Sequence, residues 1–329
     1  MKVLITGGAG FIGQLLARAI LSRGTLAGSD GAQTAIDEIV LFDQAVPASR
    51  PSGLDPRARF VAGEIADADT VRPLLDRSDM AVFHLASVVS GGGEKDFDLA
   101  INVNLHGHLH LLEAARALKS KPRYVFASSI AVFGGAAMAP RVGDFAKQTP
   151  QTTYGITKSI GELLVNDYTR KGYIDGRSAR LPTVIIRPGK PNAAASSFAS
   201  GMFREPLNGE NSILPVGPDA VMPLSGYRTI VENFIRLHEL DGQKLGDDRA
   251  VGFPALDVSV REMAASLQRT AGNRRLGKII EQRDPVIERI VASWPTGTES
   301  QRALDLGLAR DQDIDSIVKT YIADHVAGP

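Results

Sequence analysis

Tyr154 and Lys158 stand four residues apart in Tyr154-Gly155-Ile156-Thr157-Lys158, a spacing that puts a phenol and an ammonium on one face of a helix. A phenol with an ordinary pKa near ~10 is a poor base at neutral pH, and a neighbouring cation favours phenolate and lowers that value. The pair has the chemistry of a base that takes a proton from a substrate hydroxyl as hydride leaves the carbon. Taken alone, a Tyr and a Lys at this spacing more often belong to a solvated helix face. Ser128 and Ser129 change the balance, because they directly follow the apolar run Arg123–Ala127 and so stand at the carboxyl edge of a sheet, where open α/β folds bind ligands.

A second constellation is Gly7-Gly8-Ala9-Gly10-Phe11-Ile12-Gly13, set between a strand-like run and a helix-like one. Gly7 allows a tight turn, Gly10 lets backbone approach a pyrophosphate, and Gly13 lets helix and strand pack closely. The helix N-terminus adds free amides and a positive dipole end. Asp43 ends the next long apolar run, where a carboxylate can accept hydrogen bonds from an adenosine ribose and repel a 2′-phosphate, which favours NAD over NADP. The distance from Gly13 to Asp43 is long for this arrangement, and a carboxylate that merely caps the following turn is the alternative for Asp43.

These groups need a scaffold, and the chain supplies one. Short β-branched runs at Val3–Thr6, Glu38–Asp43, Arg59–Ala62, Met80–Leu85, Arg123–Ala127 and Thr183–Arg187 alternate with amphipathic stretches, the sequence form of a parallel sheet. Leu15, Leu16, Ala19 and Ile20, and later Leu109, Leu111, Leu112, Ala115 and Leu118, recur at helical spacing and predict helices packed on that sheet. Gly24–Thr34, rich in Gly, Ser, Asp and Ala, reads as an inserted loop. After Arg187 the texture changes to Pro, Gly and small residues through Ser200, and a second region is expected to begin there. Ser259-Val260-Arg261-Glu262 is a capping box opening a helix that stops near Gly272, and another helix near Ile314–His325 closes the chain. The expected fold is α/β: a Rossmann-like, doubly wound parallel sheet with a smaller C-terminal substrate-binding region. Residues 1–188, with 226–256 returning, would form the nucleotide domain, and 189–225 with 257–329 the substrate region.

Lys plus Arg and Asp plus Glu number 37 each, so no net field exists to hold nucleic acid or an anionic membrane surface. The absence of cysteine excludes disulfides, thiolate metal ligands and cysteine nucleophiles, and fits a reducing cytosol. The first residues read as a strand and not as a cleaved leader, and no apolar stretch reaches the roughly 20 residues that span a bilayer. A cytoplasmic protein with a small-molecule substrate is expected. His106, His108 and His110 suggest a metal, but two imidazoles on one face are an incomplete site; surface or interface histidines are the expectation, with His84 in the core.

The chain resembles the extended short-chain dehydrogenase/reductase family over nearly its whole length. The resemblance rests on Thr6 to Gly13, His84-Leu85-Ala86, Asn104, Ser128-Ser129 before Val132-Phe133-Gly134, and Tyr154 with Lys158. It implies NAD as cofactor and Ser129, Tyr154 and Lys158 as a catalytic triad, Ser129 holding the reacting oxygen and Lys158 also binding the nicotinamide ribose. It further implies that Glu64 and Ile65 line the adenine pocket, that Ala86, Ser87 and Pro188 border the cofactor with Phe11 and Ile12 of the turn, and that Asn104 lies near the active site. There Asn104 could hold the helix locally open for a proton path or serve as a buried structural amide. Pairing of the helices that carry Asn104 and Tyr154 in a homodimer is implied as well.

Within the family, the usual sugar-nucleotide enzymes carry an asparagine and a Tyr-Gly-Pro turn after the arginine of the sixth strand. This chain instead has Arg187-Pro188-Gly189-Lys190-Pro191-Asn192-Ala193-Ala194-Ala195-Ser196-Ser197-Phe198. That segment, with Val88-Val89-Ser90-Gly91, Arg204-Glu205-Pro206-Leu207-Asn208-Gly209 and Ile290-Val291-Ala292-Ser293-Trp294-Pro295, resembles the D-erythronate dehydrogenases. It implies oxidation of a four-carbon sugar acid at C2. Such an acid needs a cation for its carboxylate and polar partners for its hydroxyls. Arg187 and Lys190 are both candidate cations, and Ser90, Asn192 and Ser197 candidate hydroxyl partners beside Ser129 and Tyr154. The competing readings are a nucleotide-sugar epimerase or dehydratase and a non-catalytic NAD-sensing Rossmann protein; the second commonly lacks the reactive tyrosine or lysine, which this chain keeps.

Overall fold

The computed structural model describes residues 1–51, 53–191 and 194–326. Seven parallel strands form the main sheet: β1 (Lys2–Thr6), β2 (Glu38–Asp43), β3 (Ala58–Ala62), β4 (Met80–His84), β5 (Arg123–Ser129), β6 (Asp175–Leu181) and β7 (Ala250–Gly252). Their order across the sheet is β7-β6-β5-β4-β1-β2-β3, a Rossmann-like arrangement in which the direction of winding reverses at β1. Central strands of such a sheet are covered on both faces and read as continuous apolar runs. In β1, Val3 and Ile5 face one side with Leu41 and Phe83, and Leu4 faces the other with Val40 and Val82.

Helix α1 (Phe11–Arg23) covers the first face through Leu16 and Ile20. Helices α2 (Gly107–Ala117) and α3 (Thr153–Arg170) cover the second through Leu111, Leu112 and Val165. Helix α4 (Ser197–Leu207) and the closing helix Ile314–His325 share a further core with Ile185, Met222, Tyr227 and Met263. Helix α5 (Tyr227–Glu239) returns to the main sheet, where Ile230 and Phe234 join the α1 face. No helix among the described residues is long and apolar enough to cross a membrane.

Three expectations are corrected. The sixth strand of the sheet is β6, not Thr183–Arg187; Thr183–Ile185 is a strand of a separate three-stranded sheet with Val221–Gly226 and Leu256–Ser259. The charged residues of β6, Asp175, Arg177 and Arg180, hide it from a hydropathy reading, yet all three are largely buried among tertiary partners. The inserted segment Gly24–Thr34 contains an antiparallel hairpin, Thr25–Ala27 with Gln33–Ala35, held by Glu239, which accepts from Ala27 N (2.8 Å) and Gln33 Nε2 (2.5 Å). Ser259 caps Val260–Thr270 through the amide of Glu262 at 3.1 Å, but the Glu262 carboxylate goes to Arg269 instead of completing the box.

Candidate active site

At the carboxyl end of β1 the chain turns sharply through Gly7, whose φ of +69° lies in the left-handed region; a Cβ there would sit 2.9 Å from the amide nitrogen of Ala86. A Cβ on Gly13 would lie 2.5 Å from the carbonyl oxygen of Gly7, so helix and strand approach closely only without it. Helix α1 begins after Gly10 with no side-chain cap and no acid in its first turn, leaving its amides available to an anion. Asp43, at the end of β2, accepts the amide of Ala9 at 3.1 Å and so lies against this turn. The crevice stands where the winding of the sheet reverses.

Helix α3, capped by Thr152 accepting from Gly155 N, carries Tyr154 and Lys158 to the end of β5. Ser129, the last residue of β5, accepts the amide of Ala131 at 3.2 Å, and its hydroxyl lies close enough to the Tyr154 phenol to act on its ionisation. Lys158 is 3% exposed and donates to the carbonyl of Ala127 at 2.7 Å, with its ammonium 5.5 Å from the centre of the Tyr154 ring. The electrostatics correct the sequence reading. Burial pushes Tyr154 above the ordinary phenol value, and the nearby Ser129 hydroxyl pulls the other way. The same burial weakens Lys158 as a cation: its pKa is pushed down to about 7, against an upward pull from Glu162.

Asn104 sits in a π-helical turn, Asn102–His106, just before α2. Its side chain accepts from Val88 N (2.8 Å) and Ser87 Oγ (3.1 Å), and donates to Val88 O (3.0 Å) and Thr157 Oγ1 (3.2 Å). The widened turn and the amide together tie the loop after β4 to α3. His84 is buried and paired with Thr6 Oγ1 at 2.7 Å. His108 departs from the expected surface position: it is fully buried, stacked 4.3 Å from Phe126, and neither ring nitrogen has a partner among the described residues.

A cavity of about 300 Å³ opens beside the triad, and Ser90, Ser129, Tyr154, Arg187, Ser197 and Ile12 all reach its wall. Arg187 is half-buried; its guanidinium donates to the carbonyl of Lys190 at 3.0 Å and has no carboxylate partner among the described residues. Burial and the nearby Arg204 push its pKa below the ordinary value. Lys190 is not part of the lining: its side chain is exposed, because the turn at Gly189 directs it to solvent while only its carbonyl faces Arg187. Asn192 lies outside the described residues. Pro188 is half-buried and outside the lining. Trp294, Ser196, Ser200 and the segment Leu181–Val184 also reach the wall, though the sequence assigned them no part in a site; the run that contains Trp294 was conspicuous only through a resemblance.

Residues 3–230 match the sequence model of the NAD dependent epimerase/dehydratase family. The chain belongs to that family. It is 46% identical over 325 residues to the D-erythronate dehydrogenase of Cupriavidus necator, covering 98% of both chains. It is 38% identical to the D-erythronate dehydrogenase of Haemophilus influenzae, covering 98% of this chain and 99% of that one. Among solved structures it is similar to a nucleoside-diphosphate-sugar epimerase from Agrobacterium tumefaciens, with TM-score 0.90 and 35% identity over 99% of this chain and 94% of that one.

NAD is the cofactor of this epimerase/dehydratase family member, and the residues fit it. The uncapped N-terminus of α1 and the Cβ-free approach at Gly13 suit a pyrophosphate, with Phe11 and Ile12 opening the helix. Phe11 is also packed against Tyr227, ring centres 5.2 Å apart, so its ring belongs partly to the C-terminal core. Ile65 is buried against Gly107, whereas Glu64 is exposed beyond β3. Ala86 donates its amide to Thr6 Oγ1 at 3.2 Å, and Ser87 is held by Asn104, so the loop after β4 passes beside the glycine turn.

Proposed function

We propose that this chain is a dehydrogenase that oxidises the C2 hydroxyl of a four-carbon sugar acid, D-erythronate, to the 2-oxo acid. The observation that carries the reading is Arg187: a guanidinium without a carboxylate partner among the described residues, in the wall of the cavity that Tyr154 and Ser129 also line. A carboxylate is the group such a cation lacks. The cavity volume suits a small acid, and two relatives at 46% and 38% identity bear the D-erythronate dehydrogenase name.

In this reading Ser129 holds the C2 oxygen, Arg187 holds the carboxylate, and Tyr154 takes the hydroxyl proton. Ser90 and Ser197 meet the remaining hydroxyls. NAD, when bound, supplies the acceptor for the hydride. Lys158 favours the phenolate of Tyr154 and binds the cofactor ribose, Asp43 holds the adenosine ribose, and Asn104 positions the loop bearing Ser87. Residues 1–188 with 226–256 carry the cofactor, and 189–225 with 257–329 shape the substrate side. A homodimer through α3 is supported by its outward Leu163, 65% exposed, and by Phe97, 62% exposed, on the neighbouring short helix. A cytoplasmic location is supported by the cysteine-free composition.

The test is a kinetic screen of four-carbon acids with NAD and NADP. D-erythronate with NAD is expected to give NADH at each turnover. The rival reading, an epimerase acting on nucleotide sugars, is favoured by the likeness to the nucleoside-diphosphate-sugar epimerase from Agrobacterium tumefaciens; turnover of uridine-diphosphate sugars with D-erythronate left untouched would establish it instead.

A further inference from the structure

Helix α3 carries one more charged residue behind Lys158. Glu162 follows one turn later on the same face and is 1% exposed. Three side chains converge on its carboxylate: Arg180 of β6 through Nε (2.9 Å) and a terminal nitrogen (2.7 Å), Ser128 Oγ (2.5 Å) and Gln148 Nε2 (2.5 Å). Lys158 and Glu162 therefore hold two successive residues of β5, Ala127 by its carbonyl and Ser128 by its hydroxyl, and Ser129 is next. The hydride chemistry assigns Glu162 no part, and a buried ion pair is a costly way merely to dock a helix on a strand.

We propose that Glu162 is a positioning residue for the reaction: its carboxylate, clamped by Arg180, Ser128 and Gln148, keeps the ammonium of Lys158 charged and fixes the strand end that presents Ser129. The inference rests on the reading of Tyr154 and Lys158 as the reacting pair. The groups that face Lys158 are Tyr154 and Glu162 on its own helix, His84 from β4 and His108 from α2, with Arg180 behind Glu162. Burial keeps both histidines neutral, and Lys158 reinforces this. Glu162 is thus the one anion in the set. Two arrangements of the pair hold the same number of protons: ammonium with phenolate, and neutral amine with phenol. A negative charge beside the nitrogen favours the first, which is the one able to act as a base.

The test reads the two groups directly in the free protein, with neither substrate nor cofactor. Phenolate absorbance of Tyr154 is taken as the difference from a matched Tyr154→Phe protein, and Lys158 is followed by NMR of carbon-labelled lysine, assigned with Lys158→Met. In Glu162→Gln, Lys158 is expected to lose its proton at a pH lower by about one unit, and Tyr154 to ionise at a correspondingly higher pH. Glu162→Asp, which keeps the charge, is expected to move both back toward the parent values. Should Glu162→Gln not fold, the double variant Glu162→Met with Arg180→Met, an apolar replacement that buried pairs commonly tolerate, is expected to show the same two shifts. Parent midpoints for both groups in whichever variant folds overturn the proposal, as does failure of both variants to fold, which would make Glu162 a residue of the fold alone. Shifts as stated in a protein that leaves D-erythronate untouched support this inference while sinking the substrate reading.

Discussion

At the amino edge of the sheet Asp175 is surrounded by three guanidinium groups, those of Arg123, Arg177 and Arg249, whereas at the carboxyl edge Lys158 and Arg187 bond carbonyl oxygens and have no carboxylate partner among the described residues. The amino-edge arginines also take the carbonyls that end α5: Arg177 bonds Leu237, His238 and Leu240, and Arg123 bonds His238 at 2.6 Å. Burial alone would raise the pKa of Asp175, and the arginines outweigh it and bring it below the ordinary value. Both edges bury charge and both hold ion pairs, Glu162 with Arg180 at the carboxyl edge among them, but only the carboxyl edge leaves a cation, Arg187, without a carboxylate among the described residues. A charge met on every side clamps the fold; a charge left short of a partner is where a ligand completes the electrostatics.

The sharpest way to break this contrast is to remove the clamp. Asp175→Ala leaves three arginines uncompensated and is expected to lower unfolding stability by about 3–5 kcal/mol, with turnover per folded molecule preserved. Denaturant unfolding within about 1 kcal/mol of the parent would show that the amino edge is no clamp. The opposite pattern is expected of Tyr154→Phe: near-parental stability and a fall in turnover of at least about a hundredfold, equivalent to about 2.7 kcal/mol of barrier. Unchanged turnover would remove Tyr154 from the chemistry. Arg187→Ala is expected to raise KM for the acid by about tenfold or more, the scale of one charged hydrogen bond, with a smaller change in kcat. An unchanged KM would move the carboxylate anchor elsewhere.

The same contrast explains what could be read from the chain alone. The glycine turn, β2 and the closing helix Ile314–His325 are specified by local pattern, and β2 and that helix have the bounds their periodicity gives. Tyr154, Lys158 and Ser129 converge because a helix face and a strand end fix them. β6 was not legible, since its buried Arg177 and Arg180 become tolerable only through Asp175, Glu162 and the carbonyls ending α5. The hairpin after α1 depends on Glu239, more than 200 residues away. The substrate wall was the least legible region: Leu181–Val184, where β6 gives way to the next strand, and Trp294, just after the helix Pro285–Ala292, reach it from segments that share no spacing. Lys190 was indistinguishable from Arg187 until the turn at Gly189 separated them. The direction of the Tyr154 shift also required the structure, because burial is a property of neighbours and here it outweighs the downward pull of the Ser129 hydroxyl.

The smallest expected effect lies between the two edges, at His108. Burial and the nearby Lys158 ammonium push its pKa down to about 3, so the folded protein holds it neutral while the unfolded chain takes a proton as pH falls through about 6.5. A depressed histidine contributes stability that is fully present above the unfolded value and is lost as pH falls toward the folded one. The affected window therefore runs from about 6.5 down to about 3. His84 and His238, also depressed by burial, add to the same slope. His108→Leu removes one contributor along with two ring nitrogens that have no partner among the described residues. Its unfolding free energy is expected to fall less steeply than the parent's between pH 7 and about 5.7, by roughly 1 kcal/mol. Parallel curves for the two proteins would mean that His108 finds a proton or a water partner in the fold, and that the polar core beneath Lys158 is wetter than its packing implies.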